Sequence, residues 1–459
     1  MNRSNPRSAL TAHTKPPAHQ LHRLLMLPLM TLQFLLCCHS LPASELSWIR
    51  VNAAGTGFEK QDTGQVFDAS GFNYDHDRTG RLIEDYWHTE WPAITADFEE
   101  MRELGARVVR IHLQFGRIME SATTARDSEL SQLRKLLELA LKTGLYLNIT
   151  GLGCYHKADV PAWYDELSES DRWAAQEAFW EAIAKTCSDC PAVFCYDLMN
   201  EPVVGGEQPG ADWLGPAFAG KHFVQFVARE TKGRKRTDIA VAWTARMVAA
   251  IRRSDLRHLI TVGLVDWSLD RPGLTSGFVP HTIASHLDFV SVHLYPDSKN
   301  PSAANSLLDG FRTERPLVVE ESFPLRCTPE QLEQFIRRAH GVSGWISFYW
   351  GKRIAEYQPN ASIGDAITAD WLTRFSSLLQ DSPAVRMMAG HWLRNADGKA
   401  AFSVDLTAWN EPAADLPIGV FDSGIGGLTV LEAILAADHF QNHSLQPGAD
   451  GIADFRNER

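Results

Sequence analysis

Short apolar, β-branched runs alternate along the middle of the chain with longer stretches whose apolar residues fall three and four positions apart. The short runs occupy 66–72, 107–113, 145–150, 192–198, 259–264, 289–294, 316–320 and 345–349, and they predict eight strands. Between them, 94–104, 127–143, 171–186, 237–253, 329–340 and 366–379 carry the helical spacing. Strands separated by helices pair in parallel, because a parallel connection needs a crossover. Eight such units predict a closed (β/α)8 barrel, with an open doubly wound sheet as the competing arrangement. The first strand is followed by Gly71-Phe72-Asn73-Tyr74-Asp75, which lacks the glycine pattern that cradles a pyrophosphate, so a dinucleotide cofactor is not expected.

Composition narrows the class of protein. The 459 residues are 44% hydrophobic and 22% charged, which excludes a disordered chain, collagen and a polytopic membrane protein. Acidic residues outnumber Lys and Arg by 56 to 44, so no nucleic-acid footprint is present. Fourteen Trp residues are more than a core usually needs, and flat apolar faces carrying an N–H suit a sugar cleft.

The two ends differ from the middle. Residues 1–23 carry Arg3, Arg7, Lys15 and Arg23 without an acid, an apolar run follows over 24–38, and Leu41-Pro42-Ala43-Ser44 supplies a small-residue exit. This order predicts a signal peptide over 1–43 and a secreted or periplasmic protein, with a lipid-anchored Cys38 or an uncleaved anchor as alternatives. In an oxidising compartment the remaining Cys154, Cys187, Cys190, Cys195 and Cys327 are expected to form one local disulfide and otherwise stay as buried thiols. Cys187-Ser188-Asp189-Cys190 lacks a second pair of ligands, so no metal site is expected. Residues 381–416 are expected to be a mixed polar linker or small cap.

On a (β/α)8 barrel, chemistry gathers at the C-terminal ends of the strands. Those ends deliver Asn73; Arg110 and His112; His156; Asn200 and Glu201; Asp266 and Trp267; His293 and Tyr295; Glu320 and Glu321; and Trp350. Glu201 and Glu321 follow apolar strands 120 positions apart (321 − 201), which places them on the fourth and seventh strands. Two carboxylates facing each other across the mouth are what glycoside hydrolysis requires, one as acid/base and one as nucleophile.

Asn200-Glu201-Pro202, Val109-Arg110-Ile111-His112, Val290-Ser291-Val292-His293-Leu294-Tyr295-Pro296 and the Glu321 strand end resemble glycoside hydrolase family 5, the cellulase and mannanase family, over about residues 48–380. The resemblance implies a retaining barrel enzyme over 44–380, needing no cofactor, with Glu201 as acid/base and Glu321 as nucleophile. It further implies that Arg110 holds the nucleophile ionised, Asn200 bonds the sugar 2-OH, His293 and Tyr295 flank the nucleophile, and Trp350 lies under the sugar. His156 matches a third-strand histidine loosely, since the insertion 151–155 displaces it. His112, Asn73 and Trp267 complete the expected cleft. The partner implied is an oligo- or polysaccharide of glucan or mannan type, acted on by a monomer with no stable membrane partner. A carbohydrate-binding barrel without activity is the second reading.

One departure concerns the nucleophile strand. Such families place a small residue before the nucleophile, whereas this chain has Glu320-Glu321-Ser322-Phe323. Regular alternation would send Glu320 and Glu321 to opposite faces. The long stretch 203–236 is expected to line or wall the cleft, Trp213 included, and its basic run 231–236 reads as a solvated loop. Finally, 417–431 (Pro417-Ile418-Gly419-Val420-Phe421-Asp422-Ser423-Gly424 onward) resembles the first strand and helix of glutamate and aspartate racemases, but only 28 residues follow Leu431 and no cysteine occurs beyond Cys327. The segment 417–459 is expected to be an incomplete, loosely attached unit, and a truncated racemase fusion is the third reading.

Overall fold

A computed structural model describes residues 46–74, 79–271, 274–348, 350–357 and 362–380. The expected signal peptide, the linker and the racemase-like segment lie outside these residues.

Eight parallel strands close into a barrel: β1 (Gly71–Tyr74), β2 (Val108–Gln114), β3 (Tyr146–Gly153), β4 (Val193–Asn200), β5 (Leu259–Leu264), β6 (Val290–His293), β7 (Leu317–Ser322) and β8 (Trp345–Ser347). Outer helices follow them in turn: α1 (Trp91–Glu103), α2 (Asp127–Thr143), α3 (Glu169–Cys187), α4 (Arg236–Arg252), α5 (Pro280–Ile283), α6 (Pro301–Phe311), α7 (Pro329–Arg338) and α8 (Ile363–Gln380). The helix ends have local causes. Gly144 takes the left-handed conformation (φ 73°) that stops α2, and Thr328 with Gln331 forms a capping box that starts α7. Every residue of β2, β3, β4 and β7 is buried, because helices cover the outside and side chains fill the inside.

The run 66–72 is not one strand. Val66–Phe67 pairs antiparallel with Phe58–Lys60, which pairs with Ile49–Val51, and the barrel begins only at Gly71. Gly71 is required there, since a Cβ would lie 1.7 Å from the Val108 carbonyl oxygen. This small sheet plugs the bottom of the barrel: Phe58 meets Phe194 and Phe289 edge-on at 5.0 and 5.3 Å, and Phe67 meets Tyr146 at 4.9 Å. With the bottom sealed by aromatics, polar side chains inside the barrel gather toward the other end.

No disulfide occurs among the described residues, contrary to expectation; Cys154, Cys187, Cys190, Cys195 and Cys327 are thiols. Cys187 ends α3 with its sulfur buried beside Tyr196, while Cys190 lies half-buried in the following turn, and burial pushes both thiols up.

The ladders on both sides of β7 slip by one residue. Val292 of β6 pairs with Val319 but His293 pairs with Glu321, so β7 carries one extra residue at Glu320. The β8 ladder agrees, since Val319 and Ser322 pair with Trp345 and Ser347. A bulge of this kind re-aims side chains next to a site. Glu320 and Glu321 therefore do not point to opposite faces: both carboxyls serve one buried network around Arg110.

Candidate active site

Arg110 is the hub. It projects from β2 into the barrel with no exposure. One terminal nitrogen donates to Glu321 Oε1 at 2.7 Å and to Asn73 Oδ1 at 2.9 Å, while the other donates to Asp197 Oδ2 at 2.7 Å and to Asn200 Oδ1 at 3.0 Å. Burial opposes its charge, yet Asp197, Glu320 and Glu321 outweigh burial and hold the guanidinium well above its ordinary value. Only a planar fork satisfies two carboxylates and two amides at once.

Glu321 ends up at the mouth, 5% exposed, between Arg110 and the Tyr295 hydroxyl, which donates to Oε2 at 2.7 Å. Glu201 stands opposite. His293 Nδ1 lies 2.9 Å from Glu201 Oε1 and 3.4 Å from Glu321 Oε2, and an oxygen of each carboxylate lies within 4.8 Å of the other. Burial works against a charge on His293, but Glu321 and the hydrogen bond to Glu201 prevail and raise it above the usual histidine value.

The backbone at Glu201 is strained. The residue has φ 49° and precedes Pro202, a combination that non-glycine residues avoid, and its N–H donates to the Gly263 carbonyl at 2.9 Å. The conformation turns the side chain out of β4 at the rim, where the chain enters a parallel pair, Pro202–Gly206 with Gln225–Glu230. That pair begins the expected wall. Asn200, 1% exposed, donates through Nδ2 to the Phe223 carbonyl at 3.1 Å, which ties the wall to the site.

Several expected residues take other places. Asn73 is fully buried: its amide nitrogen donates to the Glu320 carbonyl at 2.8 Å and its oxygen accepts from Arg110, so it holds the hub. Trp350 is also fully buried, edge-on to Phe72 at 5.3 Å, with its backbone N–H on the Asn73 carbonyl, and it offers no face to a sugar. Past the end of β8 at Ser347, Phe348 is half-buried, 6.4 Å from Tyr295 and 6.5 Å from Phe223, and is, among the described residues, an aromatic that reaches the site. Tyr155 stands in the place expected of His156, its hydroxyl on His112 Nδ1; His156, half-buried, precedes a short turn at Lys157–Asp159. Trp213 packs under Arg172 and Arg229 and bonds the Asp165 carbonyl, so it braces the wall from outside. Trp267 is half-buried beside Asp266, whose carboxyl is pushed up by burial and by the charge of Glu201.

Three inner groups lie beneath these. Asp197 is fully buried and accepts from Arg110, from the Thr150 hydroxyl at 2.8 Å and from the Gly263 N–H at 2.7 Å. Gly263 gives this room, because a Cβ there would meet His293 Nε2 at 2.9 Å and an Arg110 nitrogen at 3.1 Å. Glu320, with no exposure, receives the Asn148 amide at 2.6 Å. The arrangement can therefore place two carboxyl groups, one of them paired with a cation, on opposite sides of one bond.

Comparison with known proteins agrees with the barrel fold. Residues 52–331 match the model of the cellulase family, glycosyl hydrolase family 5. No curated protein matches the sequence. Among solved structures, the exo-β-1,4-mannosidase Op5Man5 of Opitutaceae bacterium strain TAV5 is similar at TM-score 0.53 and 17% identity, over 74% of this chain and 63% of its own length. A β-mannanase of the blue mussel Mytilus edulis is similar at TM-score 0.51 and 16% identity, over 78% and 100%. An endo-1,4-β-mannanase of Eisenia fetida gives 0.52 and 15%, over 72% and 95%. At these identities the likeness is one of fold, and this chain spans under two thirds of the Opitutaceae enzyme.

Proposed function

From the premise that this chain belongs to the cellulase family, glycosyl hydrolase family 5, and is a glycoside hydrolase, we propose that it cleaves β-1,4-linked mannosides or glucosides with retention, using Glu201 as acid/base and Glu321 as nucleophile. The observation that carries the reading is the spacing of the two carboxylates. Oxygens within 4.8 Å of each other favour the short separation of a retaining pair over the wider one with which an inverting enzyme admits a water between acid and base. In the first step Glu321 attacks the anomeric carbon while Glu201 gives its proton to the departing oxygen. In the second, Glu201 takes a proton from water, which displaces Glu321 from the sugar.

The supporting groups have matching tasks. Arg110 and Tyr295 fix the orientation of Glu321, His293 sits between the two carboxylates, and Phe348 with Tyr295 offers apolar edges beside the reacting sugar. The similar solved enzymes are described as an exo-β-1,4-mannosidase, a β-mannanase and an endo-1,4-β-mannanase, which makes mannan the substrate to try first. Export directed by residues 1–43 belongs to the same reading, as does action by a monomer.

Release of reducing sugar from β-mannans and β-glucans, with Glu201→Ala as control, tests it. Wild type is expected to release sugar from at least one polymer, and the control to fall by roughly 10²–10⁴-fold on substrates with poor leaving groups. Equal release by both proteins, or none by wild type, would contradict the assignment.

A further inference from the structure

The bulge in β7 buries a third carboxyl in a network that has one permanent cation. Asp197, Glu320 and Glu321 all face Arg110, yet its two arms pair with Asp197 and Glu321, and no ion pair among the described residues includes Glu320. The groups facing Glu320 are Arg110 from β2, Cys195 and Asp197 from β4, His293 from β6 and Glu321 on its own strand. Its neutral neighbours are Asn148 from β3, which gives one hydrogen bond, and the Ser291 hydroxyl from β6, which works against the protonated form but is outweighed by burial. A fully buried carboxylate with no cation of its own is costly, and such groups take up a proton instead.

We propose that Glu320 is a positioning residue that works in its neutral form: its proton leaves the whole charge of Arg110 to Asp197 and the nucleophile Glu321. Loss of that proton would add a negative charge within the barrel, draw Arg110 inward and loosen its hold on Glu321. Burial, and next the charge of Asp197, push the Glu320 carboxyl up to about 7, so the change falls near neutral pH. The activity then has an alkaline limb that does not come from the acid/base. This rests on the assignment of Glu321 as nucleophile.

A 2,4-dinitrophenyl β-glycoside isolates the effect, because its leaving group departs without a proton from Glu201. On this substrate kcat/KM of wild type is expected to fall roughly tenfold per pH unit on the alkaline side. With each profile scaled to its own maximum, Glu320→Gln moves that limb upward by at least about one pH unit, whereas Glu201→Gln leaves it in place. An unchanged limb in Glu320→Gln would overturn the proposal alone; no turnover by wild type at any pH would overturn the glycosidase reading and this proposal with it. Infrared titration of Glu201→Gln gives a second measurement that needs no change at Glu320. A protonated carboxyl component is expected at pH 6 that fades as pH rises through about 7, ahead of that of buried Glu84, which is pushed up to about 8, and absence of the earlier-fading component would also overturn the proposal.

Discussion

Glu321→Ala is expected to lose turnover by at least about 10⁴-fold on every substrate the wild type cleaves, with little loss of stability. Glu321 is the only carboxyl of the network with its outer oxygen at the mouth, bonded by the Tyr295 hydroxyl at 2.7 Å. Its removal leaves Arg110 still paired with Asp197, so the buried cation keeps a partner. Steady-state kinetics together with urea unfolding check both halves. A Glu321→Ala protein that retains activity while Glu320→Ala is inactive would reassign the nucleophile to the neighbouring position.

Arg110→Leu is expected to damage the fold itself. It strips Asp197, Glu320 and Glu321 of their one permanent cation in a region with almost no exposure, and breaking a buried pair in this way costs about 3–5 kcal/mol. The destabilisation should grow as pH rises and more of these carboxyls ionise, which urea midpoints across the pH range will show. Arg110→Lys should recover part of the stability and little of the activity, because one ammonium cannot span two carboxylates and two amides that the guanidinium reaches at 2.7–3.0 Å. Equal stability of Arg110→Leu and wild type would mean that the inner carboxyls are neutral without it.

The barrel is legible in the sequence because parallel strands buried on both faces read as apolar runs, and the helices between them carry their own period. Two places resist. The run 66–72 hides a boundary, since Phe67 and Phe72 are equally apolar but belong to the bottom plug and to β1. The bulge at Glu320 breaks the alternation from which the facing of β7 is read, and a bulge leaves no mark in the pattern of residue types.

Within the site, Glu201, Glu321, Arg110, Asn200, His293 and Tyr295 stand out because they sit at strand ends in short motifs, and the structure brings them together. Asp197 and Asn148 escape that reading although each is a polar residue inside an apolar strand, a signal present in 192–198 and 145–150. Trp350 is expected as the sugar platform because it matches the eighth-strand aromatic of the family it resembles. Residue type does not reveal that the Trp350 indole is fully buried while Phe348 lies beside Tyr295. Tyr155 displaces His156 for a similar reason, as the contact with His112 depends on how residues after β3 turn.

The most direct test of the two-carboxylate account is mass spectrometry of the protein after reaction with a 2-deoxy-2-fluoro β-glycoside bearing an activated leaving group. The fluorine slows hydrolysis of the glycosyl-enzyme, so the sugar should be found on the peptide containing 317–322 and located on Glu321. An adduct on Glu320, or turnover that proceeds with inversion and without any adduct, would contradict it.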